Sequence, residues 1–134
     1  MFHNGYFETV KVLTYGNGDR ASLGSLAYEE PFIALLDRLH AEYRHLGIGE
    51  EMAFMLSLTD ARNVQLGINR FDFAFLDDHQ GLFDRQTLVL PDVLLSAEQT
   101  AAEALRPVFD LVWQSAGMER SLNYNAAGEW APRR

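Results

Sequence analysis

A chain of 134 residues fits one domain, and folding at this size hides roughly two-thirds of the surface of the unfolded chain, enough for a hydrophobic core. Nineteen acidic against eleven basic residues leave a formal charge of −8, which on average repels a phosphate backbone and disfavours nucleic acid as a direct partner. The absence of cysteine excludes disulfides, thiolate zinc sites and thiol nucleophiles.

The N-terminal residues Met1 to Tyr6 show no basic segment followed by an apolar one, and no apolar run approaches the ~18 residues of a membrane span. The expectation is a cytoplasmic chain with no membrane partner. Tyr6 to Tyr15, rich in β-branched and aromatic residues, predicts a strand running into a tight turn at Gly16-Asn17-Gly18-Asp19. Ala21 to Glu30 reads as a loop or a short partner strand. Pro31 is then expected to open a helix, because Phe32, Leu35, Leu36, Leu39, Tyr43 and Leu46 recur at helical spacing. Glu29 and Glu30 suit its positive end, and Gly47 is a natural stop.

Met52 to Leu58 and Val64 to Ile68 alternate apolar and polar residues around the turn Thr59 to Asn63, which predicts an antiparallel hairpin. Phe71, Phe73 and Phe75 form a third alternating run, Asp77 to Gly81 a solvated loop, and Thr87 to Leu90 a last short strand before Pro91. The final helix is expected over Ser96 to Ala116. Ser96 and Gln99 would form its capping box, and Ala101, Leu105, Val108, Phe109, Val112 and Ala116 its buried stripe. Pro107 either kinks this helix or restarts it. The expected architecture is α+β: a small, mainly antiparallel sheet with two principal helices on one face. One domain over residues 1–120 would be followed by an aromatic tail over 121–134.

The chemistry-bearing residues are few. Gly16-Asn17-Gly18-Asp19-Arg20-Ala21 has the spacing of a dinucleotide-binding turn, but no βαβ unit is evident around it and a hairpin turn explains the same residues. Asp72, Asp77, Asp78, His79 and Asp84 offer oxygen and imidazole ligands for a divalent metal, with Asp77, Asp78 and His79 the densest group, in no established metal-loop spacing. His40 and His45 fall well apart around the helix axis and read as a boundary and an exposed histidine. Leu23-Gly24-Ser25-Leu26 lacks the second glycine of a nucleophile elbow. The carboxylate pairs Glu29-Glu30 and Glu50-Glu51 read as surface charges; acid–base work would require one of them to be partly buried with a shifted pKa.

The tail carries a different signal. Leu105 to Trp113, followed by Ser121-Leu122-Asn123-Tyr124-Asn125 and Gly128-Glu129-Trp130, resembles the C-terminal end of some bacterial Schlafen AlbA-type proteins, which are described as nucleic-acid-binding and often labelled ATP-binding. The likeness extends more thinly to Leu46-Gly47-Ile48, Leu56-Ser57-Leu58 and Asp84 to Pro91. Nothing here corresponds to the AlbA-type domain itself, so no binding or catalytic residue transfers. The resemblance implies an accessory region accompanying a bacterial regulatory or defence effector. The residues thus point to a protein-interaction module with Trp113, Tyr124 and Trp130 as anchors, without catalysis or a cofactor, docking in cis or in trans, on itself or on a protein partner. The alternative is a small metal-dependent hydrolase built on the Asp72 to Asp84 loop.

Overall fold

The computed structural model describes residues 7–13, 21–48, 51–68 and 81–132. Among these the elements run β1 (Ser22–Gly24), α1 (Ser25–His45), β2 (Met52–Phe54), β3 (Ser57–Thr59), β4 (Gln65–Gly67), β5 (Thr87–Val89), β6 (Val93–Leu95) and α2 (Ala101–Ser115). The fold is α+β, with two helices and mainly antiparallel pairing.

The predicted hairpin between Met52–Leu58 and Val64–Ile68 does not form. Both runs instead lie along the later segment 81–95: β2 pairs antiparallel with β6, β3 with β5, and Gln65 bridges Leu82. The result is one long, irregular ribbon. Between the pairs Phe54–Val93 and Ser57–Val89, two residues on one strand oppose three on the other, Leu90, Pro91 and Asp92. The extra residue makes a β-bulge at Pro91, which has no N–H to contribute to a ladder. Between Thr59–Thr87 and Gln65–Leu82 the excess reverses, with residues 60–64 opposing 83–86. Asp60 and Asn63 absorb that excess at φ 55 and 63, within the turn predicted there. Alternation along the chain was therefore a sound guide to the faces, but it carried no information about the partner strand. Thr87–Val89 is likewise not the last strand, since the bulge lets the chain continue into β6.

β4 also pairs in parallel with β1, Leu23 opposite Leu66. A parallel pair whose connection carries α1 is a crossover arrangement, which the sequence pattern did not reveal. Ala21–Glu30 is accordingly neither loop nor simple strand. β1 runs directly into α1, whose start lies six residues before Pro31. The apolar face continues upstream of the proline through Leu26 and Tyr28, and burying it outweighs the N–H that Pro31 removes from Ala27. Glu29 and Glu30 thus lie inside the helix instead of ahead of it. At the other end Gly47, at φ +66, donates to Arg44 O at 3.1 Å while Ile48 donates to Tyr43 O at 2.9 Å, a complete Schellman stop.

The last helix starts at Ala101, not Ser96. Thr100 is its N-cap: its hydroxyl accepts from Glu103 N–H at 3.2 Å, and Glu103 accepts from Thr100 N–H at 2.9 Å. Ser96 and Gln99 do contact each other, at 3.4 Å, but within the turn before the helix. Asp37 of α1 accepts from Ala101 N–H at 3.2 Å, so one helix satisfies a free donor at the start of the other. Pro107 lies inside one continuous helix and is its seventh residue, as Pro31 is of α1.

All six residues of the predicted stripe on α2 are buried. They join Leu56, Leu58, Leu88, Leu90, Val93 and Leu95 from the inner ribbon face, with Leu23, Leu66 and Phe83, in one core. Tyr28 meets Phe109 edge-on at 5.7 Å, and Phe32 meets Phe54 at 6.1 Å, tying α1 to α2 and to the ribbon. Residues Phe7 to Leu13 belong to no strand; the rest of the predicted N-terminal strand and turn, and the Phe71 to Phe75 run, lie outside the described residues.

Candidate functional site

Among the described residues, one carboxylate lies inside the fold. Glu29 is fully enclosed, where the sequence suggested a solvated surface charge. Starting α1 at Ser25 places Glu29 one turn later on the buried face, against α2 and the chain that follows it. Its Oε1 accepts from Trp113 Nε1 at 2.7 Å, Tyr28 OH at 3.0 Å and Ser121 Oγ at 3.1 Å. Its Oε2 accepts from Asn123 Nδ2 at 2.7 Å and Ser121 Oγ at 3.2 Å. The second Nδ2 hydrogen of Asn123 goes to Ser25 Oγ at 3.0 Å, and Ser25 Oγ donates to Ile68 O at 2.6 Å.

All four donors to Glu29 are neutral. Loss of hydration therefore dominates and raises its pKa from 4.5 to about 7, while the bonds from Asn123, Trp113, Tyr28 and Ser121 pull the other way. Burial, together with the adjacent Glu29 charge, also pushes the Tyr28 hydroxyl well above its ordinary value.

The tail closes this cluster as a short hairpin. Tyr124 bridges Trp130, Asn125 N–H donates to Glu129 O at 2.9 Å, and Ala131 N–H donates to Asn123 O at 2.9 Å. The Asn125 side chain reinforces the turn, giving to Glu129 Oε2 at 2.8 Å and accepting from Glu129 N–H at 2.9 Å. Three contacts fix the hairpin on α2. Ser121 N–H donates to Asp110 at 2.9 Å, Tyr124 OH donates to Ala102 O at 2.7 Å, and the Arg106 guanidinium lies 5.9 Å from the Tyr124 ring centre.

Of the three aromatic anchors suggested by the sequence, Trp113 and Tyr124 are buried against the chain's own core, at 0% and 4% exposure, and Trp130 is half-buried against Tyr124 at 5.1 Å. The tail docks in cis. Of the metal candidates, Asp84 is exposed, and Asp72, Asp77, Asp78 and His79 lie outside the described residues, as do Gly16 to Arg20. Among the described residues no three His, Asp or Glu side chains are grouped to hold a metal, and no helix is long and apolar enough to cross a membrane. His40 is buried, and its Nε2 has no partner among the described residues; His45 is exposed. Glu51 is exposed and Glu50 is outside the described set.

The chain matches no protein-family model, no curated protein and no solved structure.

A second feature lies on the outside. The ribbon alternates, so the residues opposite the core face outward: Ala53 pairs with Leu94, and Ser57 with Val89, with Met55 between them on the same face. Met55, Val89 and Leu94 are 66%, 79% and 66% exposed, an apolar strip that the core does not use. It runs into a shallow groove between β6 and α2, where Pro91, Leu94, Pro107 and Leu111 form apolar walls and Asp92 and Glu103 supply carboxylates.

These two features have different chemistry. Glu29 titrates where proton exchange at neutral pH is possible, yet both its oxygens are saturated by protein donors and enclosed, so it acts as a tether between α1, α2 and the tail. The strip and groove are open to contact. The sequence contained both, but it exposed neither: Ser121 and Asn123 reach Glu29 across more than ninety residues. Met55, Val89 and Leu94 converge only because β2 pairs with β6 and β3 with β5, partners that lie beyond the nearest alternating run in the sequence.

Proposed function

We propose that this chain is a non-catalytic protein-interaction module that docks through the outer ribbon face and the adjoining groove, as an accessory to a larger bacterial regulatory or defence effector. The observation that carries the reading is the strip Met55, Val89 and Leu94, more than half exposed on a face whose other side is core. Apolar side chains gathered on one exposed face cost hydration free energy in the isolated chain, which supports reading this face as a contact surface. Asp92 and Glu103 at the groove, in a chain of charge −8, favour a partner segment that combines apolar and basic side chains. The tail's resemblance to Schlafen AlbA-type C-terminal regions motivates the effector setting, and cis docking of Trp113 and Tyr124 moves the contact surface from the tail to the ribbon.

The test is selection of binding peptides from a displayed library, followed by comparison with a Val89→Glu/Leu94→Glu variant. Enriched sequences should be apolar and basic, and should lose binding to the variant at least tenfold. Selection without enrichment, or equal binding by a folded variant, would overturn the reading. The variant's folding is checked by its urea midpoint, since exposed positions like these usually change stability by less than about 0.5 kcal/mol.

A further inference from the structure

The hairpin over Ser121 to Ala131 is held by an arrangement that a structural clamp does not need. Its two most buried polar side chains, Ser121 and Asn123, both point at one carboxyl group, and α1 and α2 supply the other two donors, Tyr28 and Trp113. An apolar contact of the same shape would hold the segment equally well at every pH, whereas enclosing an ionisable group makes closure depend on its charge. We propose that the hairpin is a releasable strap latched by Glu29, and that proton occupancy of this one carboxyl sets how readily the strap opens. The strap and Glu29 share no residue with the strip of Met55, Val89 and Leu94, so the latch stands whether or not that strip docks a partner.

The direction follows from the bonds. With Glu29 protonated, the enclosed group is neutral, and its hydroxyl can donate to Ser121 Oγ, which then turns its own hydrogen elsewhere. With Glu29 ionised, four neutral donors must hold a full negative charge away from water, and opening the strap lets water reach it. Rising pH therefore favours the open strap.

Other charged or titratable groups face the latch. Tyr28 on α1 and Tyr124 on the strap are both pushed further above the phenol range, so they stay protonated across the neutral window. Asp110 on α2 accepts from Ser121 N–H, and Arg106, one turn earlier, lies 3.9 Å from Asp110 and over the Tyr124 ring. Asp110 is thus a second carboxylate on the strap, bonded to its backbone where Glu29 is bonded to its side chains, and it serves as the control.

Hydrogen exchange of the intact chain tests this, read as protection factors so that the intrinsic pH dependence of exchange is removed. Amides of Asn125, Gly128 and Ala131, each bonded within the hairpin, report on the strap; amides of Leu105, Val108 and Phe109 report on the core. Because closure holds the Glu29 pKa at about 7 and opening lets water reach the carboxyl and lower it, strap protection should fall tenfold or more as pH rises toward 7 and level off above it. Core protection also carries the Glu29 contribution through global unfolding but should stay above strap protection at every pH; equal values would mean that the strap opens only with the whole fold, and would overturn the latch. Glu29→Gln should abolish the slope, and Asp110→Asn should retain it. A flat wild-type profile, or a slope that survives in Glu29→Gln, overturns the latch. If Glu29→Gln does not fold, the carboxyl carbon shift of Glu29 in labelled wild-type protein decides instead. Levelling-off of strap protection within about one pH unit of the midpoint of that shift supports the latch; levelling-off further away refutes it.

Discussion

Glu29 also makes global stability depend on pH, in the sense opposite to that of a hydrogen-bonded surface carboxylate. Unfolding returns the side chain to water, where its pKa is 4.5; in the folded chain burial holds it at about 7. The folded state therefore binds this proton more tightly than the unfolded state does. Its contribution is present in full below about pH 4.5 and is lost as pH rises through about 7. The gap between those values, at about 1.4 kcal/mol per pH unit, corresponds to about 3 kcal/mol, a large part of the stability of a domain this size. Ordinary carboxylates work against this trend. Glu103, held below its usual value by the Thr100 N–H and hydroxyl, loses its favourable bonds in acid. The difference between wild type and Glu29→Gln isolates the Glu29 part. Urea unfolding of both proteins should give a wild-type-minus-variant stability that falls by about 3 kcal/mol between about pH 4.5 and about 8. A difference constant across that window, beyond extrapolation error, would refute the assignment of Glu29 as an enclosed carboxyl held by neutral donors.

Two further predictions test local features that control the placement of α2 and the strap. Thr100→Ala removes both hydroxyl contacts of the capping box and should cost about 1 kcal/mol in urea unfolding, while Ser96→Ala, which acts only in the preceding turn, should change the midpoint little. Gly128→Ala places a methyl group at φ +86 directly against the Arg106 guanidinium, so it combines left-handed strain of about 1 kcal/mol with displacement of Arg106 from the Tyr124 ring. In an Arg106→Ala background the same substitution should retain only the strain component, a non-additivity measurable by a double-mutant cycle.

Local structure was largely legible in the sequence, and pairing was not. Alternation placed Leu56, Leu58 and Leu66 on a buried face, and the helical stripe of α2 was read residue by residue. These patterns depend on periods of two and 3.6 residues, which any short window displays. Strand partners depend on the rest of the chain. The run at Met52 to Leu58 met its nearest alternating neighbour in sequence but not in space, because a one-residue bulge at Pro91 lets a single ribbon use both β5 and β6. Prolines misled in a related way. Pro31 is a good first-turn residue, so it pulled the expected helix start six positions late; a sufficiently large buried face tolerates it one turn deeper, as α2 tolerates Pro107.

That displaced start is also what concealed the candidate site. With α1 beginning at Pro31, Glu29 and Glu30 are equivalent charges before a helix. With α1 beginning at Ser25, residues 25, 29, 32, 36, 40 and 43 follow the helical repeat, and Glu29 falls on the same face as Phe32 and the buried Leu36 and His40. A carboxylate on such a face needs donors, and the C-terminal segment is rich in them: the Trp113 indole and the Ser121 and Asn123 side chains. The tail's aromatics drew attention as anchors for a partner, yet its short polar residues determine where it sits. Trp113 contributes its N–H as much as its area, and Tyr124 is buried because Ser121 and Asn123 bring the chain back over α2. The segment that looked most suited to binding another molecule is therefore bound to its own chain, through a group whose affinity for the tail changes with a single proton.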